Sequence, residues 1–326
     1  MFYERHHPSV MPEEPAADPL DSPDSTSGRA PEHTPRGSGK GRAFKARLIS
    51  TIILIGILLA AFYFSQNWLY AVLCGVLSIG SLIEYFRLFP THGFRRFRWH
   101  TYGVSVAYLI LLSAPFWGFE AVWLRELDGV AVATLVICIV LDRLRLPLEG
   151  SRTLNEIAIA VFGFIYCVML LAFIPKLLML PLENRAGESS AHFYLIYLVA
   201  VTKLTDVGAY IVGSLIGRHK MIPHVSPGKT WQGFSGAIVF AISGSFALYF
   251  TVGDQIPLLT LSHVVVIAIL LALVAVLGDL AESIIKRSLE VKDSGQIMPG
   301  IGGFLDLIDS LIFTAPLFYL YLLILS

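Results

Sequence analysis

Acids and lysines recur at helical spacing inside the most apolar stretches of this chain. GDLAESIIKR places Asp279, Glu282, Ser283 and Lys286 at i, i+3, i+4 and i+7, one stripe on a helix. FLDLIDS places Asp306, Asp309 and Ser310 at i, i+3 and i+4, and TKLTDVGAY sets Lys203 and Asp206 on one helix face. Residues 286–310 add Arg287, Lys292 and Asp293 among Gly295, Gly300, Gly302 and Gly303. Buried carboxylates are costly unless they are paired, protonated or bound to a cation. Internal pairing, for example Lys203 with an aspartate, would lock helices together. Convergence of acids from two helices with a glycine-rich loop between them favours a divalent cation, and magnesium suits hard oxygen ligands and a phosphate partner.

A second polar segment supplies complementary groups. GRHKMIPHVSPGKTWQGF, residues 217–234, holds Arg218, Lys220, Ser226, Lys229 and Thr230. SPGKTW resembles the end of a phosphate loop, but no strand is expected before it and the first glycine of that motif is missing. It can still cradle phosphate with backbone N–H groups, a lysine and hydroxyls at a helix start. Lys286, Arg287 and Lys292 can bind phosphates, and the glycines let backbone approach a ligand closely. His219 and His224 lack metal-ligand spacing and read as loop residues. Phosphate binders, carboxylates and a metal at a membrane surface imply phosphoryl or nucleotidyl transfer on a lipid.

The elements that must hold these groups are membrane helices. The chain has 326 residues, 55% hydrophobic and only 15% charged, with mean hydropathy +0.69. Soluble domains carry about 25% charged residues. Nine apolar spans are expected, at 48–66, 69–86, 101–117, 129–141, 157–175, 193–216, 233–252, 263–285 and 304–325. Unpaired backbone is not tolerated in hydrocarbon, so the fold class is all-α, a polytopic membrane protein. Residues 1–39 hold seven of the seventeen prolines and no apolar periodicity, and read as a disordered tail. Cys74, Cys138 and Cys167 fall inside apolar runs and read as small buried hydrophobes.

Basic residues set the expected orientation. With the tail inside, the inward segments hold 17 Lys and Arg, against 3 in the outward ones. That bias puts the N-terminus and both polar segments in the cytoplasm, with the active site facing it. Net charge is zero, which points to no acidic partner. The basic, aromatic run GFRRFRW at 93–99 reads as a contact for anionic lipid head groups rather than for nucleic acid.

At the polar segments the chain resembles the phosphatidate cytidylyltransferases, also called CDP-diacylglycerol synthases. Their C-terminal pattern SxxKRxxxxKDxGxxxPGHGGxxDRxD is met by Ser283, Lys286, Arg287, Lys292, Asp293, Gly295, Pro299, Gly300, Gly302, Gly303, Asp306 and Asp309. The upstream pattern DxGAYxxGxxxGxxK is met from Asp206 to Lys220, and SPxKTWEGxxG from Ser226 to Gly236. Three positions depart: Gln232 replaces Glu, Ile301 replaces the PGHGG histidine and Leu307 the DR arginine. The resemblance spans residues 45–326 and is strongest over 202–310.

The resemblance implies a reaction of CTP with phosphatidic acid, giving CDP-diacylglycerol and pyrophosphate for phospholipid biosynthesis in the cell membrane. It implies Mg2+, and admits a K+ ion beside it and a homodimer. By resemblance, Asp279 and Asp306 are metal ligands, joined by Asp309 and Asp293. Ser226, Lys229, Lys286, Arg287 and Lys292 are phosphate binders. Asp206 ligates metal or orients Lys203, and both are placed with Thr230, Ser283, Gly302 and Gly303 among the residues that contact substrate. Two alternatives stay open: a CTP-dependent lipid kinase, which would release CDP, and a non-catalytic relative. Intramembrane Asp and Lys also occur in ion-coupled transporters, but no repeat is visible and the charges gather towards one face.

Overall fold

The computed structural model describes residues 67–89, 95–119, 121–147, 149–291 and 303–326. The expected tail, the first expected span, and Lys292, Asp293, Gly295, Gly300, Ile301 and Gly302 lie outside the described residues.

Helices dominate the described chain. They are α1 (Asn67–Arg87), α2 (Arg95–Ser113), α3 (Leu127–Arg143), α4 (Ser151–Phe164) and α5 (Phe173–Leu178). After them come α6 (Ala191–Ile216), α7 (Trp231–Val252), α8 (Leu261–Ser288) and α9 (Phe304–Leu325). Each of the eight remaining expected spans overlaps one of these helices, or the α4–α5 pair. A π-turn at Ile165–Met169 follows α4, and just beyond it Cys74 Sγ of α1 donates to Leu171 O at 3.4 Å.

Among the described residues, six segments are long and apolar enough to cross a membrane: α1, the α4–α5 stretch Ser151–Leu178, α6, Trp231–Gln255, α8 and α9. α3 has only 17 residues, and α2 begins with the polar run RRFRW. The all-helical expectation needs one correction. Between α6 and α7 the chain forms an antiparallel hairpin, β1 (Lys220–Ile222) against β2 (Ser226–Thr230), pairing Lys220 with Thr230 and Ile222 with Ser226. The exposed turn at Pro223 and His224 reverses the chain, and backbone groups that a helix would satisfy internally are paired across the strands.

Missing side chains bring the last helices together. A Cβ added at Gly208 of α6 would lie 2.7 Å from Gly236 O of α7, and one at Gly236 2.7 Å from Gly208 O. One turn away, a Cβ at Gly233 would stand 3.2 Å from Gly213 Cα. Small residues at matched positions let helix backbones touch, the usual device for helix association in lipid. α8 meets α9 in the same way at Gly278, where a Cβ would come within 2.4 Å of Asp309 O. Around these seams the core is filled by buried apolar side chains such as Leu82, Phe86, Leu198, Leu271, Ile308 and Phe318.

Gly278→Ala should therefore push α8 from α9 and lower the unfolding temperature in detergent, by a destabilisation of about 1–3 kcal/mol typical of overpacking. Gly75→Ala, with nothing within 4 Å of the added methyl, should leave that temperature unchanged or raise it.

Candidate active site

The backbone contact at Gly278 sets the neighbouring Asp279 against α9. Asp279 and Glu282 from α8 and Asp309 from α9 each offer a carboxylate oxygen, and these oxygens lie within 4.8 Å of one another. Glu282 and Asp309 are buried. Hard oxygen donors at this separation could hold a divalent cation such as magnesium or calcium.

Lysines are interleaved with the acids. Lys229 Nζ, from the end of β2, lies 2.9 Å from Asp279 Oδ2 and donates to Val276 O at 3.2 Å. Lys286 Nζ pairs with Asp306 and lies 2.9 Å from Glu282 Oε1, close enough for charge attraction but in poor hydrogen-bond geometry. Lys203 Nζ of α6 reaches Asp206 Oδ2 at 3.1 Å, Leu307 O at 3.1 Å and Ser310 Oγ at 3.3 Å. Ser310 Oγ also donates to Asp206 Oδ2 at 3.1 Å. Among the described residues, Asp206, Asp279, Glu282, Asp306 and Asp309 thus share three lysines, Lys203, Lys229 and Lys286.

The start of α9 is fixed by two carboxylates. Asp306 Oδ2 accepts from Gly303 N at 2.9 Å. Glu84 of α1 accepts from Leu305 N at 2.9 Å through Oε2. Glu84 is fully buried, and its Oε1 has no hydrogen-bond partner among the described residues. Carboxylates at a helix N-terminus take up orphan N–H groups and meet the positive end of the dipole.

The hairpin closes the site from the other side. Thr230 ends β2 and caps α7, its Oγ1 accepting from Gly233 N at 3.1 Å. Gln232 Oε1 accepts from Arg218 N and His219 N, both at 3.1 Å, and its amide lies 2.7 Å from His219 Nδ1. Between hairpin and helices lies a chamber of about 570 Å3 whose lining includes Asp206, Ser226, Lys229, Thr230, Asp279, Asp306 and Asp309. Ring and apolar surface from Tyr210, Phe234 and Met221 completes it.

Most of the residues singled out in the sequence meet here. Lys203 stands just behind the chamber wall, bonded to Asp206. Lys286 holds Asp306 from outside the lining. Gly303 begins α9. Ser283 is half-buried on α8 and Arg287 is exposed at its end, and neither lines the chamber. Asp306 is committed to Lys286 and Gly303, whereas Glu282, visible in the α8 stripe but given no role there, completes the three-acid cluster. Glu84 was missed altogether. Its signal was a lone acid in the apolar run SIGSLIEYF, and intramembrane acids are rare enough to mark a constraint.

Helices of membrane-crossing length, gathered around an acid-rich chamber, make this a membrane protein. Its family is shown by comparison: residues 45–325 match the cytidylyltransferase family, to which the chain belongs. A phosphatidate cytidylyltransferase of Bacillus subtilis is 33% identical over 226 residues, 69% of this chain and 78% of that protein. One from Haemophilus influenzae is 29% identical over 295 residues, 86% of this chain and 99% of the other. The uncharacterized protein YnbB of Escherichia coli is 32% identical over 256 residues, 78% of this chain and 80% of its own.

Removing the cap from α9 should loosen the end of the helix that carries Asp306. Glu84→Ala is expected to cost about 1.5–3 kcal/mol, the range for a hydrogen bond to a charged group. It should also speed hydrogen exchange at the Leu305 amide, while an exposed substitution such as Val76→Ala does neither.

Proposed function

We propose that this protein is a CTP:phosphatidate cytidylyltransferase, joining CTP to phosphatidic acid to give CDP-diacylglycerol and pyrophosphate. The observation that carries this reading is the Asp279–Glu282–Asp309 cluster with Lys229 beside it, in a chain whose relatives bear that enzyme's name.

The reaction joins two polyanions. A phosphate oxygen of phosphatidic acid attacks the α-phosphorus of CTP, and the bond to the bridging α–β oxygen breaks, so that pyrophosphate leaves. The attacking oxygen is already ionised near neutral pH, which fits a chamber without a Ser–His–Asp arrangement. Asp279, Glu282 and Asp309 would hold magnesium, with Asp306 at the edge of the cluster. Bound there, magnesium would supply neutralisation of phosphate charge. Lys229 is placed to exchange its contact with Asp279 for a phosphate oxygen. Ser226 Oγ offers a hydroxyl on the same strand. Thr230 Oγ1 accepts from Gly233 N, which leaves its proton free for a substrate oxygen. Gln232 holds the loop at Arg218 and His219, so that β2 arrives at α7 in a fixed position. The lysines would stabilise charge on the leaving pyrophosphate, and by resemblance Arg287 and Lys292 would join them.

The reading includes nine membrane spans, a cytoplasmic N-terminus and a chamber open to the cytoplasm, where CTP is. It is supported by the excess of basic residues in the segments assigned inside. His224, exposed in the hairpin turn, gives a probe: His224→Cys should react with an impermeant thiol reagent from the cytoplasmic face, and reaction from the outer face alone would reverse the topology.

Membranes carrying the protein, given labelled CTP, phosphatidic acid and magnesium, should yield CDP-lipid and pyrophosphate. Asp309→Asn and Lys229→Met should each lower the rate by about 10²-fold or more, the scale of losing one preorganised charge. Lipid phosphate with CDP would identify a lipid kinase instead. No product above the Asp309→Asn background, from folded protein, would mark a non-catalytic relative and reject the proposal.

A further inference from the structure

A second cavity, of about 230 Å3, lies between α1, α5, α6 and α9. Its wall includes Cys74, Leu77, Val199, Leu307 and Leu311, and its one charged residue is Lys203. This residue also joins the two cavities. Its ammonium is bonded to Asp206, and Asp206 lines the polar chamber. One ion pair, buttressed by Ser310, therefore has its lysine in the apolar slot and its aspartate in the acid-and-lysine chamber.

Leu307 shapes that slot twice. Its carbonyl accepts from Lys203 at 3.1 Å and so helps hold the ammonium beside Asp206. Its side chain supplies apolar wall at the position where the resembling pattern carries arginine. An arginine directed there would fill apolar space and set a second cation against Lys203. Leucine keeps that stretch of the wall apolar.

We infer that the slot receives one acyl chain of the lipid substrate while its phosphate lies in the chamber. The inference rests on the reading of the protein as a phosphatidate-using enzyme, and it names the subsite that would hold the tail. The slot's walls belong to helices that are long and apolar enough to cross a membrane. Its only charge stands at the side facing the phosphate chamber. An amphiphile with an anionic head matches that polarity; a bulk neutral lipid does not.

Two measurements test this. In the first, the slot is altered from α1 and α6, away from the acids. Leu77→Trp or Val199→Trp should raise KM for long-chain phosphatidate about tenfold and leave KM for CTP unchanged. Leu77→Ala, which enlarges the slot, should not raise KM for phosphatidate bearing a bulky branched chain. Parallel changes in both KM values, or none in that for phosphatidate, would overturn the subsite. The second needs no turnover and so remains decisive even if no CDP-lipid forms. Phosphatidate carrying a diazirine within one acyl chain, photolysed in proteoliposomes without CTP, should label peptides of α1 and α6 around the slot. Phosphatidylcholine with the same diazirine chain should label them several-fold less. Equal labelling by both would make the occupant an ordinary membrane chain, and labelling confined to other helices would place the tail elsewhere; either result rejects the inference.

Discussion

Carboxylates that converge inside a helix bundle repel one another, and the lysines placed among them let the remaining structure close. Two like charges about 4 Å apart interact by about 4 kcal/mol at an effective dielectric near 20. Here the compensating charges also tie elements together. Lys286 joins α8 to α9 through Asp306, Lys203 joins α6 to α9 through Leu307 O and Ser310, and Lys229 joins the hairpin to α8 through Asp279. Each ammonium serves as a charge and as a brace. Among the described residues the acids outnumber these lysines, and three of the acids offer oxygens close enough together to hold a cation.

Such ties need backbones that approach closely. The α6–α7 seam is made by Gly208 and Gly236 facing each other, and the α8–α9 seam by Gly278 against Asp309. At Gly278 the two functions are inseparable. The residue that permits contact precedes one acid of the cluster, and the backbone it touches belongs to another. Packing and chemistry share one point, so a change in helix separation there is also a change in the spacing of the acids.

The sequence disclosed the helices well because apolar length and polar spacing are one-dimensional signals. It also showed the stripe of Asp279, Glu282 and Lys286 and the Asp306–Asp309 pair, since positions three and four apart share a helix face. The hairpin escaped, because MIPHVSPGKT has few β-branched residues and two prolines, and its pairing is settled by the helices that flank it. The division of labour among the acids escaped too. Asp306 and Asp309 look alike in sequence, yet one is taken by Lys286 and Gly303 and the other faces Asp279 and Glu282. Glu84 was unreadable as a partner of α9, because nothing local links residues 221 apart.

That last separation has a consequence for biosynthesis. α1 is made with a carboxylate whose partner, the Leu305 amide, is 221 residues further along the chain. At about 5–20 residues per second this is roughly 10–45 seconds of synthesis. Throughout that interval α1 holds an acid that hydrocarbon disfavours. The helix must stay protonated at Glu84, or remain beside the insertion machinery or an earlier helix, until α9 emerges. The bond that fixes the start of α9 thus forms only once α9 itself has been made.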